Sequence, residues 1–277
     1  MSEFNLKNLA EIWTSFKVAL REIFTENTMH MAASLSYTSL LALVPLATVV
    51  LSTFSLFPVF ASWSEQLQGF IYDNMVPALG DVIKNNIDSF VGKAGALTAF
   101  GLIFLLFTAL MMLSTIEDSL NKIWQVQKGR SLGQRILVYW TMITLGPLLL
   151  GAGLSLTSYF TASEAFKLLN IGGLGSTLLK SLPFIFETAA FVLSYILMPN
   201  CKVKFKHALI GGIIASLFFQ LAKTSFAFYV TKFNTYEAIY GALATLPIFL
   251  IWIFVSWSVF LLGAQISAGL DRLQGKT

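Results

Sequence analysis

Six stretches of this chain are long and apolar enough to cross a lipid bilayer as helices. A crossing takes about 20 mostly apolar residues. Residues 32–60, 94–116 and 136–160 contain no Asp, Glu, Lys or Arg. Residues 181–199 hold one such group, Glu187, and residues 207–230 hold one, Lys223. Residues 238–270 hold none and exceed the length needed, so the sixth span is placed at 243–268. Lipid supplies no partner for backbone N–H and C=O groups, so each span is expected to be a helix. A barrel would show strands of about ten alternating residues, and the chain has no such pattern. The expected fold class is all-α: a polytopic membrane protein with six transmembrane helices, an N-terminal amphipathic helix, and a helical periplasmic loop between helices 1 and 2.

Composition closes the soluble alternative. Only 12% of the 277 residues are charged while 56% are hydrophobic. A soluble domain carries roughly 25% charged residues, so too few charges are present to cover a water-facing surface. With no low-complexity linker, the chain reads as one unit: an N-terminal helical segment at 1–31, the six-span domain at 32–270 and a tail at 271–277. Residues 1–31 contain no continuous apolar core, so the first span is expected to be a retained anchor.

The basic residues set the expected orientation. Assigning the N-terminus, the second and fourth loops and the C-terminus to one side places twelve there: Lys7, Lys17, Arg21, Lys122, Lys128, Arg130, Arg135, Lys202, Lys204, Lys206, Arg272 and Lys276. The other side receives five: Lys84, Lys93, Lys167, Lys180 and Lys232. That asymmetry predicts an inner-membrane protein with both termini in the cytoplasm. The short clusters around Lys128 and Lys202–Lys206 read as topology signals beside anionic headgroups, not as a nucleic-acid surface.

Residues 6–24 carry Leu6, Leu9, Trp13, Phe16, Leu20 and Ile23 at alternating steps of three and four, with charges between them. This predicts an amphipathic helix, lying either in the cytoplasmic membrane interface or against the cytoplasmic loops. Residues 61–93 show a similar spacing and are expected to form short helices over the outer mouth of the bundle. Pro45, Pro147, Pro183 and Pro247 fall within or near spans. Together with Gly151 and Gly153, the Gly146-Pro147 pair makes the third span the most breakable. The small residues Ala208, Gly211, Gly212, Ala215 and Ser216 predict a closely packed helix face.

Ionisable groups inside a span are costly and mark candidate sites. Helix four runs outside to inside and helix five runs back. Glu187 and Lys223 are therefore each expected about 10 Å below the outer boundary, where they can meet. Gln220 and Thr224 share the Lys223 face. The candidate substrate or gate residues are Glu187, Lys223, Gln220, Tyr37 from the polar side of the first span, and Gln265 near the cytoplasmic side of the sixth. The structural alternative has Lys223 snorkelling to the headgroups and Glu187 acting as a protonated hydrogen-bonder. No catalytic residues, metal or cofactor are assigned. His30 and His207 are expected to stand alone, one Cys allows no internal disulfide, and no phosphate-binding loop is present. The chain is expected not to be an enzyme.

Several segments also resemble a known family. These are Ala32-Ala33-Ser34-Leu35-Ser36-Tyr37 with Leu43-Val44-Pro45, Leu120-Asn121-Lys122-Ile123-Trp124, and Phe191, Tyr195, Pro199-Asn200 and Val203. Ala208, Gly211-Gly212, Lys223, Phe226, Tyr229, Tyr240-Gly241, Trp252 and Leu262-Gly263-Ala264 complete the set. In this order and spacing they resemble the YihY/BrkB family of bacterial inner-membrane proteins, formerly labelled ribonuclease BN, over about residues 28 to 270. The resemblance implies a six-span inner-membrane fold. Related members are linked to export or flipping of lipid-linked envelope material. Many carry Glu where this chain has Gln265 and Ser where it has Ala42, which argues against proton coupling at position 265. The nuclease label has no support in these residues, which lack clustered His and Asp. The functional expectation is a transporter or flippase of an amphipathic envelope molecule, with a non-transporting scaffold or regulator of the envelope as the alternative. Its expected partners are membrane lipids and a lipid-like substrate, with no nucleic acid, and its oligomeric state is left open.

Overall fold

The computed structural model describes residues 6–55, 99–145, 174–232 and 245–274. The described residues form seven helices and no strand. They are α1 (Leu6–Ile23), α2 (Glu26–Ser55), α3 (Ala99–Ile123), α4 (beginning at 132 and described to 145), α5 (Leu174–Leu197), α6 (Phe205–Lys232) and α7 (Thr245–Gln274). Within α6 and α7, Phe205–Val230 and Pro247–Leu273 are long and apolar enough to cross a membrane, and Ser181–Leu197 of α5 is a shorter apolar helix. The expected covering helices at 61–93 and the Gly146–Gly153 cluster lie outside the described residues. Pro183 sits inside α5, which nevertheless continues as a helix.

At the centre of the bundle α6 packs on α7. The small residues predicted to allow this do so by bringing the two backbones together. A Cβ at Gly211 would stand 2.5 Å from the Gly263 carbonyl oxygen, and one at Gly263 would stand 2.8 Å from the Gly211 oxygen. Neither position has room for a side chain. Tyr195 of α5, fully buried, donates its hydroxyl to the Phe260 carbonyl at 2.8 Å and closes the third side of this contact. Helix α5 flanks α6, α2 flanks α7, and α3 pairs with α2. Leu35, Leu120, Tyr195 and Leu261 form the middle of the main apolar core.

Helix α1 is amphipathic as expected, and its buried face covers helices where the packing alternative had placed the cytoplasmic loops. Ala19 packs with Leu262, Ile266 and Leu270 of α7, and Phe16 reaches Phe218 of α6 with ring centroids 5.9 Å apart. Trp13 remains 56% exposed, with the Lys17 ammonium 5.0 Å from its ring centroid. Thr25 then starts α2 by accepting the Met29 N–H at 3.1 Å on its carbonyl.

One end of the bundle carries α1, the loops at 124–131 and 198–204, and the last turns of α7; it is called the α1 end below. Helix α3 stops there because Gln125 adopts a left-handed backbone, φ 57°, and Val126 N–H bonds back to the Asn121 carbonyl at 2.8 Å. A residue other than glycine in that conformation costs roughly 1–2 kcal/mol. The turn sends the chain directly into the loop that leads to α4.

Candidate functional site

Helices α5 and α6 run antiparallel, with small and polar residues facing each other along the contact. A Cβ at Gly212 would meet Val192, so the two helices approach closely there. One turn along α6, Thr188 donates its hydroxyl to Ser216 at 2.9 Å. A further turn on, Gln220 donates its side-chain amide to Glu187 Oε2 at 2.8 Å. Positions 212, 216 and 220 share one face of α6 because residues four apart stack in a helix. The other carboxylate oxygen of Glu187 is buried with no hydrogen-bond partner. Lys223, three residues beyond Gln220, acts on the Glu187 carboxylate through its charge. Phe219, beside Gln220 in sequence, packs against Phe191 and Trp252 and forms part of the apolar surroundings.

Of the five residues predicted from sequence, Glu187 and Gln220 meet here, and Lys223 acts on the carboxylate through its charge. Tyr37 does not join them: it is 64% exposed, on a helix that packs against α3 and α7. Gln265 also lies elsewhere. It is buried at the α1 end and donates its amide to the Thr28 hydroxyl of α2 at 2.9 Å, and its own Oε1 has no partner.

A second polar assembly, at the α1 end, has no counterpart among the residues predicted from sequence. Glu117 of α3 is fully buried and accepts the Tyr139 hydroxyl of α4 at 2.6 Å. Arg135 approaches the same carboxylate at 3.5 Å and Asp118 at 3.6 Å, and Arg130 lies 3.9 Å from the other Glu117 oxygen. Arg130 also spends its guanidinium fork on the carbonyls that end α5: Leu197 at 2.7 Å, Met198 at 2.9 Å and Pro199 at 2.7 Å. Helix-terminal carbonyls lack partners within the helix, and a cation there also meets the negative end of the helix dipole. Asn121 accepts the Asn200 N–H at 2.7 Å, and Asn200 donates its side chain to the Lys128 carbonyl at 2.8 Å.

The same end corrects the expectation that the two histidines stand alone. His207 is 1% exposed and its Nδ1 pairs with Asp271, whose second oxygen accepts the Trp124 indole N–H at 3.2 Å. His30 lies 3.5 Å from Glu26, one turn away on an exposed face. Asp271 reaches this position because α7 stays helical to Gln274. Cys201 lies in the same region, and burial followed by the Asp271 charge raises its thiol pKa above the ordinary value, against the opposing effect of Arg130. Among the described residues, no three His, Cys, Asp or Glu side chains are grouped to hold a metal ion.

These contacts join residues far apart in the chain, so no local pattern announces them. A faint signal existed: Glu117 stands one residue past the second apolar stretch, where a carboxylate at the membrane edge calls for a cation.

The chain has known relatives. The family model described as "Virulence factor BrkB" matches residues 19–277. A UPF0761 membrane protein of Alkalilimnicola ehrlichii is 47% identical over 243 residues, covering 87% of this chain and 55% of the relative. A UPF0761 membrane protein of Aeromonas salmonicida is 44% identical over 243 residues, covering 88% of this chain and 84% of the relative. One from Photobacterium profundum is 44% identical over 241 residues, covering 87% and 76%. The chain thus spans little more than half of the first of these relatives and most of the other two. No solved structure matches.

Proposed function

The chain belongs to the BrkB family of membrane proteins, and from that premise we propose that it moves an amphipathic envelope molecule, a lipid or lipid-linked compound, between the faces of the bacterial inner membrane. In this reading the chain crosses the membrane six times, keeps both termini in the cytoplasm and performs no covalent chemistry. The α1 end then faces the cytoplasm, and the Glu187 site lies toward the outer side.

The observation that carries the reading is the Glu187–Gln220 contact. A carboxylate sits between two helices of otherwise apolar sequence, with one oxygen held at 2.8 Å and the other buried without a partner. An unsatisfied buried polar group costs about 1–3 kcal/mol. Packing alone gives no reason to keep it, whereas a headgroup that supplies the missing donor does. Lys223 adds a cation for a phosphate beside an acceptor for an amine or hydroxyl. The chain carries no phosphate-binding loop, so the movement is downhill or driven by an ion gradient or a partner.

Purified protein in lipid vesicles, with fluorescent phospholipids scored for exchange between leaflets, tests the reading. Exchange well above that of protein-free vesicles supports it. Equality with protein-free vesicles across the main envelope lipids contradicts it.

A second reading, a non-transporting scaffold of the envelope, is favoured by the Glu117 assembly. It ties α3, α4 and the end of α5 into one unit, as a docking platform requires and a moving gate does not.

A further inference from the structure

The loops at 124–131 and 198–204 are separate in sequence and strapped together in space. Arg130 reaches across to the end of α5, and Asn200 is held on both sides, by Asn121 and by the Lys128 carbonyl. Around this strap stand four exposed lysines: Lys128, Lys202 and Lys204 in the loops, and Lys206 on the first turn of α6. Neither loop contains Asp or Glu. The acidic residues nearby are committed elsewhere: Glu117 is buried against Tyr139 and the arginines, Asp118 faces Arg135, and Asp271 holds His207 and Trp124. The lysine charges are therefore not cancelled within the surface. Large apolar side chains border them, with Phe205 65% exposed and Leu132 78% exposed.

We propose that these two loops, with the start of α6, form a binding surface for anionic phospholipid headgroups, with the four lysines meeting the phosphates and Phe205 and Leu132 seated at the boundary of headgroups and acyl chains. Orientation by positive charge needs only a number of lysines on one side. Here side chains of Asn121 on α3, Arg130 and Asn200 tie the two lysine-bearing loops into one arrangement, which orientation does not require and a binding surface does. Basic groups mixed with exposed aromatic and aliphatic side chains suit a membrane interface. The inference rests on the chain lying in a membrane and not on the transport reading: a protein that moves no lipid still shows the binding.

The test uses the full chain in nanodiscs of phosphatidylcholine mixed with phosphatidylglycerol, with the lipids retained by the protein counted by mass spectrometry. The wild type is expected to retain phosphatidylglycerol above its share of the bulk, and more so at low salt. Replacing Lys128, Lys202, Lys204 and Lys206 by Gln is expected to lower that enrichment by about fivefold per lysine until the bulk ratio is reached. The four Lys→Arg changes are expected to preserve it. Removing four positive charges at Lys84, Lys93, Lys167 and Lys180 is expected to leave it in place. Unchanged enrichment in the Gln variant overturns the proposal. So does equal loss in the variant at these other four lysines, or displacement of the lipid by inorganic phosphate or RNA at matched charge concentration. If the four Gln changes block insertion, Lys128→Gln with Lys202→Gln decides the matter by the same count.

Discussion

Gln220 donates its side-chain amide to Glu187 across the α5–α6 contact, one helical turn from the Thr188–Ser216 hydrogen bond. The two bonds sit on a single seam, so α5 cannot rotate against α6 without breaking both. Glu187 is thereby held in place while one of its oxygens stays without a partner. Gln220→Leu removes the donor and leaves the carboxylate wholly unsatisfied. The expected loss is about 1–3 kcal/mol of stability, read as a lower midpoint in thermal unfolding of the detergent-solubilised protein. The double change Glu187→Leu with Gln220→Leu is expected to recover most of it. An additive loss in the double variant would show that the two side chains do not act as a pair.

Glu117 is buried, and removing it takes the acceptor from the Tyr139 hydroxyl and the shared carboxylate from Arg130 and Arg135. Glu117→Ala is expected to destabilise by about 1–3 kcal/mol, the cost of leaving a buried polar group without its partner. Arg130→Ala carries a further loss, since three carbonyls at the end of α5 lose their donor. A double-mutant cycle measures the coupling between the two positions. A coupling indistinguishable from zero would mean that the 3.9 Å approach does not matter energetically.

Gly211 and Gly263 face each other with no room for a side chain. Gly263→Ala pushes a methyl group toward the Tyr195 hydroxyl, Ala215 and the Gly211 carbonyl, and is expected to cost about 1–3 kcal/mol by overpacking. The larger Gly211→Leu is expected to prevent a stable bundle, read as loss of a monodisperse peak in detergent. A Gly211→Leu protein that melts like the wild type would contradict the α6–α7 packing.

Cys201 is the sole cysteine of the chain, so its alkylation rate reports on one place. Its thiol pKa is raised by burial and then by the Asp271 charge, and lowered by Arg130. A raised thiol pKa means less thiolate at about pH 8, so labelling is expected to be slower than for a free thiol. Asp271→Asn removes one of the raising influences and is expected to speed it, while Arg130→Gln removes the lowering one and is expected to slow it. Iodoacetamide rates from about pH 7 to about pH 9 check the order. Slower labelling in Asp271→Asn would contradict it.

Helicity, apolar segments and the close-packed small-residue face were legible in the sequence because each follows from local spacing. The meeting of Glu187 with the Lys223 face was legible too, since two antiparallel helices of known rise place both at one depth. Whether Tyr37 and Gln265 join Glu187 was not legible for a physical reason: a polar residue on a span does not state which neighbouring helix it faces. The α1-end assembly was invisible because Glu117 with Arg130, Trp124 with Asp271, and Asn121 with Asn200 are joined by tertiary packing. Lysines and arginines that look alike in a count serve different ends there. Arg130 is spent inside the fold, while Lys128, two residues away, faces outward.

The central proposal is that the Glu187 carboxylate, besides accepting the Gln220 amide, meets a moving headgroup. Leaflet exchange of fluorescent phospholipid by the wild type and by Glu187→Gln, in vesicles holding equal amounts of inserted protein, measures it most directly. The account predicts that Glu187→Gln inserts and unfolds like the wild type and exchanges lipid at least about tenfold more slowly, a loss of about 1.4 kcal/mol in the barrier. Exchange at the wild-type rate would contradict it.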